Sequence, residues 1–209
     1  MKEISQQVDK MAAPLIVAIG GTLRRHSSTE KALRRVLASA ERLGAKTELF
    51  TGPDLDLPIY SPERLDRTPQ VNAMLRALRD ADGVILGSPG YHGGVSGLVK
   101  NVLDYTEDLR DDPRSYLEGR AVGCIGTGGG WQGAMASLAA LRNIVHALRG
   151  WNTPLGLAIN TAEPAFDEHG GCLAPRLEEQ LDMMAAQVVD FAIRQAEPRA
   201  GAPLRVAAA

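Results

Sequence analysis

Five times along this chain a short apolar run gives way to a helical repeat, and no two apolar runs are consecutive. Residues 15–19 (LIVAI) are continuously apolar, the signature of a strand covered on both faces. Leu33, Val36, Leu37 and Ala40 follow at i, i+3, i+4 and i+7, with Gly44 as a stop. The pattern recurs: a strand at 46–50, then Val71, Met74, Leu75 and Leu78; a strand at 84–86, then Val95, Leu98, Val99, Val102 and Leu103. A fourth strand near 120–126 precedes Leu141, Ile144, Val145 and Leu148, and a fifth near 155–159 precedes Leu177, Leu181, Met184 and Val188. Strands separated by helices pair through crossovers, which forces a parallel sheet with helices on both faces. Five units are too few for a closed eight-stranded barrel. The expected fold is therefore α/β, a doubly wound five-stranded parallel sheet of order 2-1-3-4-5. A single domain over 13–197 is expected, with flexible tails at 1–12 and 198–209.

In such a sheet ligands bind beyond the carboxyl ends of the strands, so the segments after strands one, three and four carry the functional reading. The first, Gly20-Gly21-Thr22-Leu23-Arg24-Arg25-His26-Ser27-Ser28-Thr29, combines glycines, hydroxyls and a helix start. Backbone N–H groups and the positive helix end make a nest for a phosphate monoester. It is not a Walker loop, because no Gly-Lys-Ser/Thr closes it. Ser27-x-x-Glu30 also reads as a capping box, so Ser27 has two candidate roles; Arg25 and His26 are expected to face water. The second segment, Ser88-Pro89-Gly90-Tyr91-His92-Gly93-Gly94, allows close backbone approach to a flat ligand, with Tyr91 or Pro89 over its face. The third, Gly126-Thr127-Gly128-Gly129-Gly130-Trp131-Gln132-Gly133, formally contains a dinucleotide fingerprint. That fingerprint belongs on the first βα unit with an acidic residue some 20 positions on, and here neither condition holds. Lining a planar cofactor explains the run better; Trp131 is either a pocket wall or a subunit contact.

Other classes fall away. A net charge of −2 offers no footprint for coating nucleic acid and no polybasic membrane patch. Cys124 and Cys172 can build neither a disulfide scaffold nor a four-thiolate zinc site, and free thiols point to a reducing cytoplasm. The polar N-terminus is no secretory signal, and no run reaches membrane-helix length. There is no metal-spaced His/Cys cluster and no G-x-S-x-G elbow. Met183-Met184 is expected in a helix core, and Glu107, Asp108, Asp111 and Asp112 on a solvated face.

Three blocks carry a family resemblance: Gly21-Thr22-x-Arg24-x-x-Ser27; Leu57-Pro58-Ile59-Tyr60; and 81–93 (ADGVILGSPGYHG) running into 98–105 (LVKNVLDY). Together, over roughly 14–160, they resemble the NADPH-dependent FMN reductase family. The resemblance implies a flavodoxin-like fold, FMN, and NADPH or NADH as reductant. It assigns Thr22, Arg24, Ser27 and Thr29 to the phosphate loop. Pro89, Gly90, Tyr91, His92 and Gly93 then lie beside the isoalloxazine ring, and Thr127, Gly128 and Gly129 form the third loop. Gly90 and His92 stand where the family often has Glu and Asn, and the 163–172 loop is unusual; both are expected to shape the substrate pocket. The implied activity is hydride transfer from nicotinamide to FMN, and on to free flavin or a small organic acceptor. Quinone-, azo- or pathway-specific reductases with tightly bound FMN are the near alternative, and a non-enzymatic electron carrier the distant one. A homodimer or tetramer is implied, with Tyr105, Trp131 and Trp151 as candidate contacts, and a flavin-dependent monooxygenase as a possible recipient of reduced flavin. No catalytic side chain is assigned; His92 is a candidate proton donor.

Overall fold

The structure, a computed structural model, describes residues 13–196, so the expected tails at 1–12 and 198–209 lie outside the described residues. The first unit is strand β1 (Leu15–Gly20) and helix α1 (Ser28–Arg42); the second is β2 (Lys46–Phe50) and α2 (Pro69–Asp80). Strand β3 (Gly83–Tyr91) turns into β4 (Gly94–Val95) before α3 (Gly97–Asp104). Then come β5 (Ala121–Gly128), α4 (Trp131–Ala147), β6 (Trp151–Asn152), β7 (Leu157–Asn160) and α5 (Pro175–Ala196).

The order across the sheet is β2-β1-β3-β5, with β6 and β7 both pairing β5 from the far side. All these pairings are parallel, so the expected 2-1-3-4-5 order holds, with its fifth position shared by two short strands. Pro154, which has no N–H to offer a ladder, falls in the gap between them.

The central strands are buried on both faces because successive side chains point to opposite sides. Ile16 and Ala18 pack with Leu33, Val36, Leu181, Met184 and Val188 under α1 and α5. Val17 and Ile19 pack with Met74, Leu78, Val102 and Leu141 under α2, α3 and α4. Close contact at the top of the sheet depends on missing side chains. A Cβ on Gly20, whose φ is +148°, would sit 1.8 Å from the Gly87 carbonyl oxygen, so no other residue fits where β1 leaves the sheet.

Several expectations need correction. Strand β3 runs on to Tyr91, through the segment read as a loop, because Pro89 still pairs with Thr127 and Gly90 and Tyr91 pair antiparallel with β4. Tyr105 is no subunit contact: it is buried, donates to the Pro58 carbonyl at 3.0 Å and sits edge-on to Tyr60. Met184 is core, but Met183 is exposed. The acidic segment is not simply solvated: Asp108 holds Arg67 at 2.6 Å and Asp112 holds Arg79 at 2.7 Å, tying it to the 58–68 connection and to α2.

Candidate functional site

The three segments expected to cooperate meet in one pocket of about 150 Å³ at the carboxyl edge of the sheet. Thr22, Arg24, Ser27, Thr29, Pro89, Gly90, Tyr91, Thr127, Gly128 and Gly129 all line it. His92 and Gly93 do not. They form the exposed tip of the β3–β4 hairpin, where φ values of 50° and 89° give the two left-handed positions of a type I′ turn. Two further residues line the pocket, Ser28 and Thr161. Ser28 belongs to the hydroxyl run legible in the sequence. Thr161 immediately follows β7, so the rule that strand ends carry the site pointed to it.

The first loop is held open from below. Gly21 N–H donates to the Gly87 carbonyl at 3.2 Å, and the Thr22 hydroxyl accepts the Arg24 N–H at 3.1 Å, folding the loop over itself. Ser27 caps α1: its Oγ accepts the Glu30 N–H at 3.2 Å. Glu30 reaches back to the N–H of His26 at 2.7 Å, one residue before the cap, so Ser27 caps the helix as expected but the reciprocal half of the capping box falls on His26 and not on Ser27. An accepting hydroxyl keeps its own proton, so capping leaves Ser27 a donor for an anion. Arg24 and Arg25 are exposed, and among the described residues neither has a carboxylate within 4.0 Å.

Loops one and three are locked to each other. Thr29 and Thr127, both buried, share a hydrogen bond of 2.7 Å between their hydroxyls. One proton makes that bond, and the other is left for a third acceptor in the pocket. Thr161 N–H donates to the Gly128 carbonyl at 2.7 Å, which fixes the far wall.

The glycines divide into two kinds. A Cβ on Gly90 would lie 2.2 Å from the Gly133 carbonyl oxygen, and one on Gly128 would lie 2.7 Å from Ala134 N. These two are required by the close approach of α4, a cause internal to the fold that the sequence reading had given to a ligand. Gly129 and Gly130 have nothing within 4 Å of an added Cβ, so their bare backbone borders open space. Tyr91, 54% exposed, lines the pocket with an uncovered aromatic face, whereas Trp131, 62% exposed at the start of α4, does not line it.

Such a donor set fits a phosphorylated flat cofactor. Hydroxyls, the start of α1 and unpaired Arg24 suit a phosphate dianion, while bare backbone and the exposed Tyr91 suit a planar ring. The 163–172 loop, expected to shape the substrate pocket, contributes no residue to this one. It crosses to the outer face of α1, where Lys31 Nζ donates to the Asp167 carbonyl at 2.7 Å.

Sheet order and strand-end pocket together define a flavodoxin-like protein built to hold a phosphorylated cofactor. The model of the NADPH-dependent FMN reductase family matches residues 14–164, and the chain belongs to that family. An FMN-dependent NADPH-azoreductase of Staphylococcus aureus is 31% identical over 162 residues, covering 69% of this chain and 82% of the relative. The flavoenzyme NAD(P)H:(acceptor) oxidoreductase FerB of Paracoccus denitrificans superposes with a TM-score of 0.73 at 22% identity, over 88% of this chain and 99% of its own. An NADH:FMN oxidoreductase, EMOB, gives 0.64 at 23% identity, over 84% and 90%. The protein is thus an NAD(P)H-dependent flavin oxidoreductase that works with FMN.

Proposed function

We propose that FMN lies across the pocket, its phosphate among Thr22, Arg24, Ser27, Ser28 and Thr29 and its ring beside Pro89, Gly90, Tyr91 and the 127–129 backbone. The observation that carries this reading is the convergence of all three loops on one cavity lined by hydroxyl side chains and by the bare backbone of Gly129. When bound, FMN supplies the chemistry, accepting hydride from the nicotinamide and yielding it to an acceptor. The chain's part is placement. Arg24 and the hydroxyls anchor the anion, the Thr29–Thr127 bond fixes the spacing of two loops, and the Gly129–Gly130 backbone lets the ring approach closely. No side chain at the site is positioned as a general base, and none is required.

The acceptor is free flavin or a small organic molecule. An azo or quinone acceptor taken by a tightly held FMN is a second reading, favoured by the azoreductase among the relatives and by the exposed ring of Tyr91 at the pocket. That ring and the outer face of α4, where Trp131 and Met135 are exposed, suit cover by a second copy of the chain, hence a homodimer. Free Cys124 and Cys172 suit a cytoplasmic setting. Transfer of reduced flavin to a monooxygenase follows only if FMN exchanges readily.

Titration of the purified protein with FMN, followed by calorimetry and visible spectrum, tests the reading. One FMN per chain and NADPH oxidation without a separate reductase are expected. No association with FMN overturns it, and oxidation only in the presence of another reductase makes the protein a carrier.

A further inference from the structure

The 163–172 loop and the outer face of α1 enclose a second cavity, of about 330 Å³, which the flavin site does not use. It is large enough for an adenosine-sized group. Lys31 and Arg34 line it from α1, His26 from the loop before α1, and Glu168 and His169 from the opposite wall. Its charges are unequally committed. Glu30, also at the wall, accepts the His26 N–H at 2.7 Å and pairs with Arg34 at 2.8 Å. The Lys31 ammonium is bound only to the Asp167 carbonyl, which neutralises nothing, and no carboxylate among the described residues pairs with it. Arg34 keeps donors beyond those turned to Glu30.

The outer wall is built and not merely draped. Asp167 Oδ1 accepts the N–H groups of His169 and Gly171, each at 2.8 Å, and Asp167 N–H donates to the Gly171 carbonyl at 2.9 Å. The same segment borders both cavities: Thr161 lines the flavin pocket, and six residues later Asp167 is tied to Lys31. From Ser28 in the nest to Arg34 in the second cavity is about 9 Å along the helix at 1.5 Å per residue. A dinucleotide with its nicotinamide at the ring and its chain passing the nest would bring its far end here.

We propose that this cavity receives the adenosine 2′-phosphate of NADPH, with Lys31 and Arg34 as the phosphate contacts, and so sets the preference for NADPH over NADH. The inference rests on the flavin reading above and extends it to the reductant. A phosphomonoester gains charge-assisted hydrogen bonds from both cations, which a 2′-hydroxyl cannot match. Glu168 stands on the opposite wall and opposes the anion.

The test uses FMN-loaded protein and calorimetric titration with 2′,5′-ADP, 5′-AMP and inorganic phosphate. The 2′,5′-ADP is expected to bind about tenfold or more tighter than 5′-AMP, and the phosphate more weakly than either. In the K31Q/R34Q double variant, 2′,5′-ADP falls to the level of 5′-AMP, and KM for NADPH rises about tenfold more than KM for NADH. Because Lys31 also tethers the loop, Glu168→Lys is the second variant: it adds a cation to the exposed wall and should tighten 2′,5′-ADP. Equal affinities for the two nucleotides, inorganic phosphate binding as well as 2′,5′-ADP, or no response to Glu168→Lys each overturn the assignment. FMN titration stays independent of all three, so a failure here leaves the flavin reading standing, and loss of FMN binding alone would sink that reading instead.

Discussion

Arginines at the two ends of the sheet lead opposite lives. At the amino edge Arg120 is 1% exposed, and its guanidinium is spent on backbone carbonyls: Ala81 at 2.9 Å, Arg79 at 2.9 Å and Tyr116 at 3.1 Å. Burial pushes its pKa down to about 10, still well above neutrality, so the cation persists. It closes the C-terminal end of α2 and the turn before β5. At the carboxyl edge Arg24 is exposed and, among the described residues, holds no carboxylate. One end of the fold has satisfied its polar groups internally; the other leaves donors open to a ligand. The difference separates stability from function by edge and not by residue type.

The largest expected effect breaks the amino edge. Arg120→Ala strands the buried Ala81 carbonyl, takes a donor from the part-buried carbonyls of Arg79 and Tyr116, and leaves a cavity, at a cost of about 3 kcal/mol in chemical denaturation. FMN affinity per folded molecule should stay within about twofold, since nothing at the pocket moves. A large loss of flavin binding without loss of stability would refute the division by edge.

Arg24→Ala is the mirror experiment. Its backbone N–H keeps the bond to Thr22, so the loop retains its shape and stability should change by under about 0.5 kcal/mol. Loss of a charge-assisted contact to phosphate weakens FMN by about 2 kcal/mol, roughly thirtyfold, in the same titration. Riboflavin, which lacks the phosphate, should bind both proteins alike.

The sequence made the carboxyl edge legible and left the amino edge dark for a physical reason. Glycines and hydroxyls at strand ends are local signals: a nest, a cap and a helix start need only a few consecutive residues. Arg120 looks like any surface arginine, because its partners are carbonyls of Arg79, Ala81 and Tyr116, chosen by tertiary packing. Tyr105 misled for the same cause, since its cover is the Pro58 carbonyl 47 positions away. Strand β3 overran its expected end because Pro89 and Gly90, poor strand formers, are held by pairing with Thr127 and Val95. The 163–172 loop was visible as unusual, but not its docking on α1, which depends on a contact between residues 31 and 167.

A smaller effect sharpens the boundary between fold and site. The Thr29–Thr127 bond serves both: it is buried, and it joins two loops of the pocket. Thr29→Val or Thr127→Val alone leaves one hydroxyl unpaired and costs about 1–2 kcal/mol in stability. Replacing both should cost less than the sum of the two, and the double-mutant cycle measures the difference. FMN binding should weaken in all three, because the spacing of the loops is lost along with the spare proton.

The smallest effect is expected at His92, placed beside the ring by the family resemblance yet outside the pocket lining. Its φ of 50°, followed by 89° at Gly93, is the geometry in which Asn-Gly is favoured over His-Gly. His92→Asn should therefore stabilise the hairpin by a few tenths of a kcal/mol, about 0.3, in thermal or chemical denaturation. If the imidazole gives no proton to a reduced product, turnover with FMN stays unchanged by the substitution. A fall in turnover with FMN binding unchanged would return His92 to the reaction as a proton donor. It would also show that the open edge extends beyond the pocket to the hairpin tip, moving the boundary the two arginines define.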